Sequence, residues 1–309
     1  MRIRGIAAAL LMTAMTATAP LSTAEAASTA SYLFYFRSET SNANVGVSTK
    51  MIYINRDTVT DNVSLSLMPY FSDGLTYNAG DATSYAEVRS SFESDSEYVE
   101  LGEIKKPDLN AQKAPFNVYD SYIAVGSNIG SKGYDYVDYN FISVPNAVMN
   151  VSGTSVDSVP LAYSSATVSK DAPFGRYQIR FRDKAYTDSL GETGTCIVYI
   201  RNSNFEDSGS VYPSGSALRH LNIVVSDRDF GDVNDDGSVD SSDAAMILND
   251  YAQAAASKAS KFEDGQKSAA DVNTDSTCDS SDSAQILSYY AYKQANSASS
   301  VSLQEYLDK

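Results

Sequence analysis

The sequence predicts two parts of different class: an all-β sandwich or jelly-roll-like domain over residues 28–229 and a small all-α domain over residues 230–309. Three observations lead there. Short apolar runs, several of period two and separated by connectors rich in Gly, Ser, Asn, Asp and Pro, fill the first part. No long helical periodicity interrupts them. Beyond residue 230 one stretch is written twice, 39 residues apart, and each copy runs into apolar residues at helical spacing.

The β-part reads strand by strand. Residues 32–36 are an aromatic run, and Val45, Val47, Met51, Tyr53 and Ile54 follow in a partly alternating segment. Val63, Leu65 and Leu67 alternate cleanly with Ser64 and Ser66. Further strands are expected at 98–101, 121–125, 134–144, 177–181, 196–200 and 221–225. In the 177–181 strand Tyr177, Ile179 and Phe181 share one face, opposite Gln178, Arg180 and Arg182. This length buries a substantial core as one domain. The segment K-K-P-D-L-N-A-Q-K-A-P reads as a long loop, and the alternative is a division into two β-domains near 105–116.

Residues 1–27 read as a signal peptide: Arg2 and Arg4 give a basic start, 6–19 is apolar, and Ala24-Glu25-Ala26 has the small-x-small cleavage pattern. Cleavage after Ala26 or Ala27 would leave a secreted, extracellular chain. The apolar run is short for a membrane span and no later run is longer, so no span is expected. The formal net charge of -16 disfavours nucleic acid, which needs a basic footprint. The two cysteines, Cys196 and Cys278, fall one in each part, and nothing forces a bridge between them.

The duplicated stretch carries the strongest chemistry. Residues 232–243 read D-V-N-D-D-G-S-V-D-S-S-D. Numbered from 1 to 12, Asp232, Asn234, Asp236, Ser238, Asp240 and Asp243 occupy positions 1, 3, 5, 7, 9 and 12, with Gly237 at the sharp turn of position 6. That is the spacing of a calcium loop, which needs six to eight hard oxygens. Residues 271–282 repeat it, with Asp271, Asn273, Asp275, Thr277, Asp279 and Asp282 at the same positions. Two loops in phase predict two calcium ions. Position 12 is Asp in both, a shorter carboxylate than the usual Glu. Ser276 stands where glycine is expected, at a cost of roughly 1 kcal/mol for a left-handed non-glycine, so the second site is expected to be the weaker. The helices after the loops should bury Ala244, Ile247, Leu248 and Tyr251 in one copy and Ala284, Ile286, Leu287, Tyr290 and Ala291 in the other. Each is too short to stand alone. Val239 and Cys278, both at position 8, should meet across a short two-stranded contact.

Two such loops, each followed by a helix and lacking the entering helix of an EF-hand, resemble the dockerin module of cellulosomes. The likeness covers about 230–295, and the opening G-D-V-N-D-D-G-S-V-D-S-S-D-A-A-M-I-L is close to the family signature. It implies a module that folds around calcium and binds a cohesin module of a scaffoldin. It also implies cohesin contacts by Ser241 and Ser242 in the first repeat and Ser280 and Ser281 in the second. Their identity implies docking in two orientations related by a half-turn. Ser276 and a longer inter-repeat linker depart from the family pattern. Residues 225–230 join the parts with no Pro/Thr linker, so close packing is expected. Residues 252–268 should extend the first helix and then loop, while Val301, Leu303 and Tyr306 should form a short last helix or dock back.

For the β-part no catalytic residue is assigned. His220 is the only histidine and nothing like G-x-S-x-G surrounds a serine. A glycosidase needs two carboxylates, for which Glu87, Glu93, Glu97, Glu100, Glu103, Asp120, Asp135 and Asp138 are candidates, but the chain has no tryptophan to stack sugars. The reading favours a non-catalytic module whose ligand the sequence leaves open; one form is a carbohydrate- or cell-surface-binding module, with plant cell-wall polysaccharide a candidate ligand and Tyr134, Tyr136 and Tyr139 an exposed cluster. The alternatives are a polysaccharide-degrading enzyme subunit and a cohesin-plus-dockerin adaptor whose partner is a second dockerin protein. The last rests on residues 166–181, which loosely resemble late strands of extracellular β-sandwich modules, cohesins included.

Overall fold

The computed structural model describes residues 33–48, 50–72, 84–105, 121–127, 136–142, 160–182, 186–187, 193–194, 196–201, 207–211 and 213–308. The signal-peptide segment 1–27 therefore lies outside the described residues. The β-part is two stacked sheets. One contains β1 (Leu33–Glu39), β4 (Val63–Ser72), β6 (Val99–Leu101) and β9 (Ser164–Val168), antiparallel in the order β1-β4-β9-β6. The other contains β2 (Gly46–Val47), β3 (Met51–Asn55), β5 (Ser84–Ser94), β10 (Gly175–Phe181), β13 (Ile197–Arg201), β14 (Asp207–Val211) and β15 (Leu221–Ser226), ordered β14-β13-β5-β10-β15-β3-β2. Here β7 (Ser121–Ser127) pairs with β8 (Tyr136–Ile142), and β8 pairs with β5. A separate small pair is formed by β11 (Tyr186–Thr187) and β12 (Thr193–Gly194). The β15–β3 pairing is parallel.

Period-two patterning explains the sandwich. Along β4, Val63, Leu65 and Leu67 point into the core while Ser64 and Ser66 face out. Phe34 and Phe36 of β1 meet Phe92 of β5 and Phe181 of β10 between the sheets. Phe36 stacks on Phe181 with ring centroids 4.3 Å apart and meets Phe92 edge-on at 5.4 Å. Each such ring contributes about 1.5–3 kcal/mol by burial alone.

Three strands escape the sequence pattern. β5 is S-Y-A-E-V-R-S-S-F-E-S, of low strand propensity, yet it is paired along both edges, by β8 on one side and by β13 and β10 on the other. Its interior position, with Val88 and Phe92 fully buried, overrides its composition. β9 (S-S-A-T-V) is similarly held between β4 and β6. β14 is an Asp- and Ser-containing strand against β13. Residues 106–120 lie outside the described residues, but β5, which precedes them in the chain, pairs with β8, which follows them, in one sheet.

The helical part follows β15 directly. Its helices are α1 (Ser241–Ala255), α2 (Asp264–Ala270), α3 (Ser280–Ala295) and α4 (Leu303–Leu307). α1 ends at Ala255, and the separate helix α2 leads into the second loop. The expectation that neither loop has an entering helix is thus corrected for the second, where the stretch Asp264–Ala270 carries a capping box from Glu263 and Gln266.

The helix faces also need correction. α1 buries Asp243, Ala244, Ile247 and Asp250; α3 buries Asp282, Ser283, Ile286 and Tyr289. Leu248, Tyr251 and Leu287, expected inside, are 41%, 44% and 41% exposed. Ala284 and Ala291 are exposed too, and Tyr290 is half-buried. Two polar residues took the inward places. Asp250 accepts hydrogen bonds from Ser260 Oγ and Lys261 N, both at 2.7 Å, and so ties down the segment after α1. Ser283 Oγ donates to the Ala244 carbonyl at 3.0 Å, which lets α1 and α3 approach closely.

Helices and sheet share a core. Met51 and Tyr53 of β3 and Val224 of β15 cluster with Phe230, Val233, Ile247, Val272, Ile286 and Leu303. Tyr53 lies against Phe230 with centroids 5.0 Å apart, and its hydroxyl donates to the Arg228 carbonyl at 2.8 Å. From the far end Gln304 Nε2 donates to the Met51 carbonyl at 3.1 Å and Lys50 Nζ to the Leu307 carbonyl at 3.2 Å. The described residues between 33 and 308 belong to one compact unit, so residue 230 marks a change of secondary structure within it.

Candidate functional site

The two loops share most of their internal hydrogen bonds, though Val233 N donates to Asp243 Oδ1 only in the first and Asn273 Nδ2 to Ser281 Oγ only in the second. In the first, Asp232 Oδ1 accepts from Asp236 N at 3.1 Å and Oδ2 from Gly237 N at 2.8 Å. In the second, Asp271 Oδ1 accepts from Asp275 N at 3.0 Å and Oδ2 from Ser276 N at 2.9 Å. Asn234 and Asn273 each accept from the amide two residues on. Gly237 has φ 83° and Ser276 φ 74°, so the second loop does hold a serine in left-handed backbone. Asp235 and Thr274, at position 4, both have φ 60°.

Positions 9 and 12 also start the helices. Asp240 and Asp279 are N-caps that accept from Ser242 N and Ser281 N at 2.6 and 2.7 Å. Asp243 and Asp282 sit at N3 and accept from the cap amides at 2.8 and 2.9 Å, closing a capping box. The repeated D-S-S-D therefore ends a loop and begins a helix with the same four residues.

The position-12 carboxylates are fully buried. Burial pushes Asp243 above the usual carboxylate range and Asp282 up to about 6, against the pull of their backbone donors. Burial also raises Asp271, while the Ser276 amide and Arg176 draw it down. The Thr277 hydroxyl holds Asp275 low. Among the described residues no ion pair reaches Asp232, Asp243, Asp271 or Asp282, and no three His, Cys, Asp or Glu side chains form a ready metal cluster. The Asp232 and Asp271 oxygens each accept one amide and keep a further lone pair, whereas Asp243 Oδ1 already accepts from both Val233 N and Asn234 N. An all-oxygen donor set with buried, uncompensated carboxylates fits a calcium ion. Ser238 and Thr277 stand at position 7 in the same turn of each loop, their amides held by Asp236 Oδ1 and Asp275 Oδ1.

Val239 and Cys278 do not form the expected two-stranded contact: neither lies in a strand. Val239 instead lies against Gly231, where it and Leu303 leave no room for a Cβ, and φ of 85° favours glycine as well. Cys278 Sγ lies 3.4 Å from the Lys267 carbonyl. Burial, with Asp271 and Asp282 nearby, pushes its thiol up to about 12, so it stays neutral. The buried Cys196 Sγ lies 3.1 Å from Ser90 Oγ.

The outward residues of the two repeats match. Ser241, Ser242, Leu248 and Tyr251 on α1 correspond to Ser280, Ser281, Leu287 and Tyr290 on α3 at the same 39-residue offset. All are exposed except the half-buried Tyr290. The leucines and tyrosines were assigned to the core by periodicity. Their exposure was foreshadowed only by the polar Asp250 and Ser283, which occupy the alternative stripe.

The other candidates separate. Glu93 is paired with Arg180 Nε at 2.9 Å and Arg182 Nε at 3.3 Å. Glu97, Glu100 and Glu103 are exposed. His220 Nδ1 accepts from Phe181 N at 3.2 Å, a bond that fixes a strand end. Tyr134, Asp120 and Asp135 lie outside the described residues, as do the side chains of Glu87, Tyr136, Asp138 and Tyr139.

The site is a duplicated loop-and-helix unit with paired outward faces. Residues 230–289 match the family model of the dockerin type I domain, and the chain is a dockerin-bearing protein of the cellulosome kind. No curated protein matches the chain. Among solved structures the chain is similar to the seventh ScaB type I cohesin from Pseudobacteroides cellulosolvens, at 13% identity over 62% of this chain and 92% of that one, TM-score 0.34. It is also similar to the non-cellulosomal cohesin from Archaeoglobus fulgidus, at 7% identity over 62% and 91%, TM-score 0.28. Scores of this size fix no partner or ligand for the chain. Among the described residues no helix is long and apolar enough to cross a membrane.

Proposed function

We propose that the chain is a secreted protein whose C-terminal module, with one calcium ion in each of the loops 232–243 and 271–282, docks onto a cohesin of a cellulosomal scaffold. The β-sandwich of residues 28–229 is then the carried part, a non-catalytic module. The observation that supports docking is the paired face. Two helices, started by identical D-S-S-D caps, turn the same two serines and the same leucine to solvent. Duplicated exposed leucines are costly to leave in water and are suited to a partner's surface. Calcium's role in this reading is to neutralise the buried carboxylates and hold both helix starts in register; Ser241, Ser242, Ser280 and Ser281, the first residues after the caps, then stand fixed beside Leu248 and Leu287.

The test uses type I cohesins immobilised from cellulosomal scaffolds and the full mature chain, with and without EGTA. Capture that EGTA abolishes is expected. Capture unchanged by EGTA, or no capture by any cohesin, would sink the reading. Replacing Leu248 and Leu287 together with Asp should weaken binding at least tenfold, by burying unpaired charge in the contact. If the repeats are interchangeable, Asp at Ser241 and Ser242 alone leaves binding within a few-fold, and a sharp loss with Ser280 and Ser281 intact excludes interchange.

A further inference from the structure

The two loops are near-copies in sequence but not in surroundings. At position 6 of the first loop, Gly237 faces open space: a Cβ there would meet nothing within 4 Å. At position 6 of the second, the Ser276 hydroxyl accepts a hydrogen bond from Arg176 Nη2 of β10. One position-4 residue, Asp235, is exposed, whereas the other, Thr274, accepts from Asn222 Nδ2 of β15 at 3.3 Å. The second loop therefore sits on the sheet, and a guanidinium stands at its turn.

That guanidinium is not neutralised. Arg228, which donates to the Val233 carbonyl of the first loop, is held by both carboxylate oxygens of Asp227 at 2.8 and 3.1 Å. Arg176 makes no ion pair among the described residues. The Ser276 that it grips follows Asp275, position 5 of the second loop, and donates its amide to Asp271, position 1. Arg176 also lines a cavity of about 550 Å³ between β10 and the helices, together with Asp271, Ser276 and Cys278.

We propose that Arg176 is an internal counter-cation of the second loop, seating it on the sheet when calcium is absent and opposing calcium when it binds. This rests on the reading that both loops take calcium. A fixed positive charge beside acidic ligands does two things. It relieves their mutual repulsion in the metal-free state, and it raises the energy of a divalent ion placed among them. The serine at position 6 is then the hydroxyl through which the sheet grips the loop, its left-handed strain offset by that contact. Two loops of matching ligand set acquire different affinities because only one is gripped.

The experiment is calcium titration by calorimetry on the full mature chain, beside Arg176→Gln, Arg176→Lys and Asp271→Asn. In the wild type two classes of site are expected, the weaker one removed by Asp271→Asn. Arg176→Gln should tighten that weaker class by roughly three- to tenfold, the scale for a unit charge about 10 Å from a divalent ion in watery surroundings. The tighter class should not move. Arg176→Lys, which keeps the charge, should resemble the wild type, and the gain in Arg176→Gln should shrink in high salt. Unchanged or weaker binding in a folded Arg176→Gln protein overturns the proposal, as does equal tightening by Arg176→Lys. If no protein in the set takes up calcium, the calcium reading of the loops falls first.

Discussion

Alanine at both Asp232 and Asp271 is expected to abolish calcium-dependent docking and to lower the single melting transition of the chain well below that of the wild type. Each of these carboxylates braces its loop through two amides and stands at position 1 of the ligand set. Exposed loop amides can turn to water, so most of the loss comes from the ion. A ligand that binds only the folded state at a hundredfold over its Kd contributes about 3 kcal/mol per site. Helices of 15 and 16 residues hold little structure alone, so the helical part depends on that contribution and on the core it shares with the sheet. Far-ultraviolet circular dichroism during heating, with and without millimolar calcium, is the check. A double variant that still gains melting temperature on adding calcium would remove both loops from the assignment.

Tyr53→Ala should cost about 3–5 kcal/mol, the range for a buried large aromatic, and should do so in both parts of the chain. The ring is the sheet's contact with Phe230, and the hydroxyl holds the Arg228 carbonyl where β15 gives way to the first loop. In the wild type the shared core predicts one cooperative transition that chelation shifts as a whole. In Tyr53→Ala the transition should split, with helical ellipticity lost before the sheet unfolds. Coincident transitions in the variant, or separate ones already in the wild type, would show that the core around Tyr53 does not couple the parts.

Much of this was legible from residue patterns, for physical reasons. The loops announce themselves because calcium ligation fixes ligand spacing in sequence, and Ser276 could be read as left-handed because its loop position demands it. Strands such as β4 and β10 show because one face is wet and the other dry. β5 does not show: its strand state comes from neighbours on both edges, and Ser, Glu and Arg carry no trace of those neighbours. The helix faces misled because Leu248 and Leu287 are apolar for the sake of the surface. Burial of Asp250 and Ser283 depends on partners, Ser260 and the Ala244 carbonyl, that only the fold supplies. Arg176 stands one residue before the strand expected at 177–181, and nothing near it in sequence ties it to a loop 100 residues on.

The place where the helical module joins the sheet has a mechanical consequence. β15 is an interior strand, bonded to β10 on one side and to β3 on the other, and the first loop begins a few residues after its last paired position. A tug on the docked module along that strand loads both hydrogen-bond ladders in shear, many bonds at once, instead of peeling them one at a time as at a frayed edge. The parallel β15–β3 ladder runs to Ser226 and Asn55, so it resists from the first ångström of pull. An attachment of this kind suits a chain held to a fixed support while its other end is dragged by flow or by a bulky substrate.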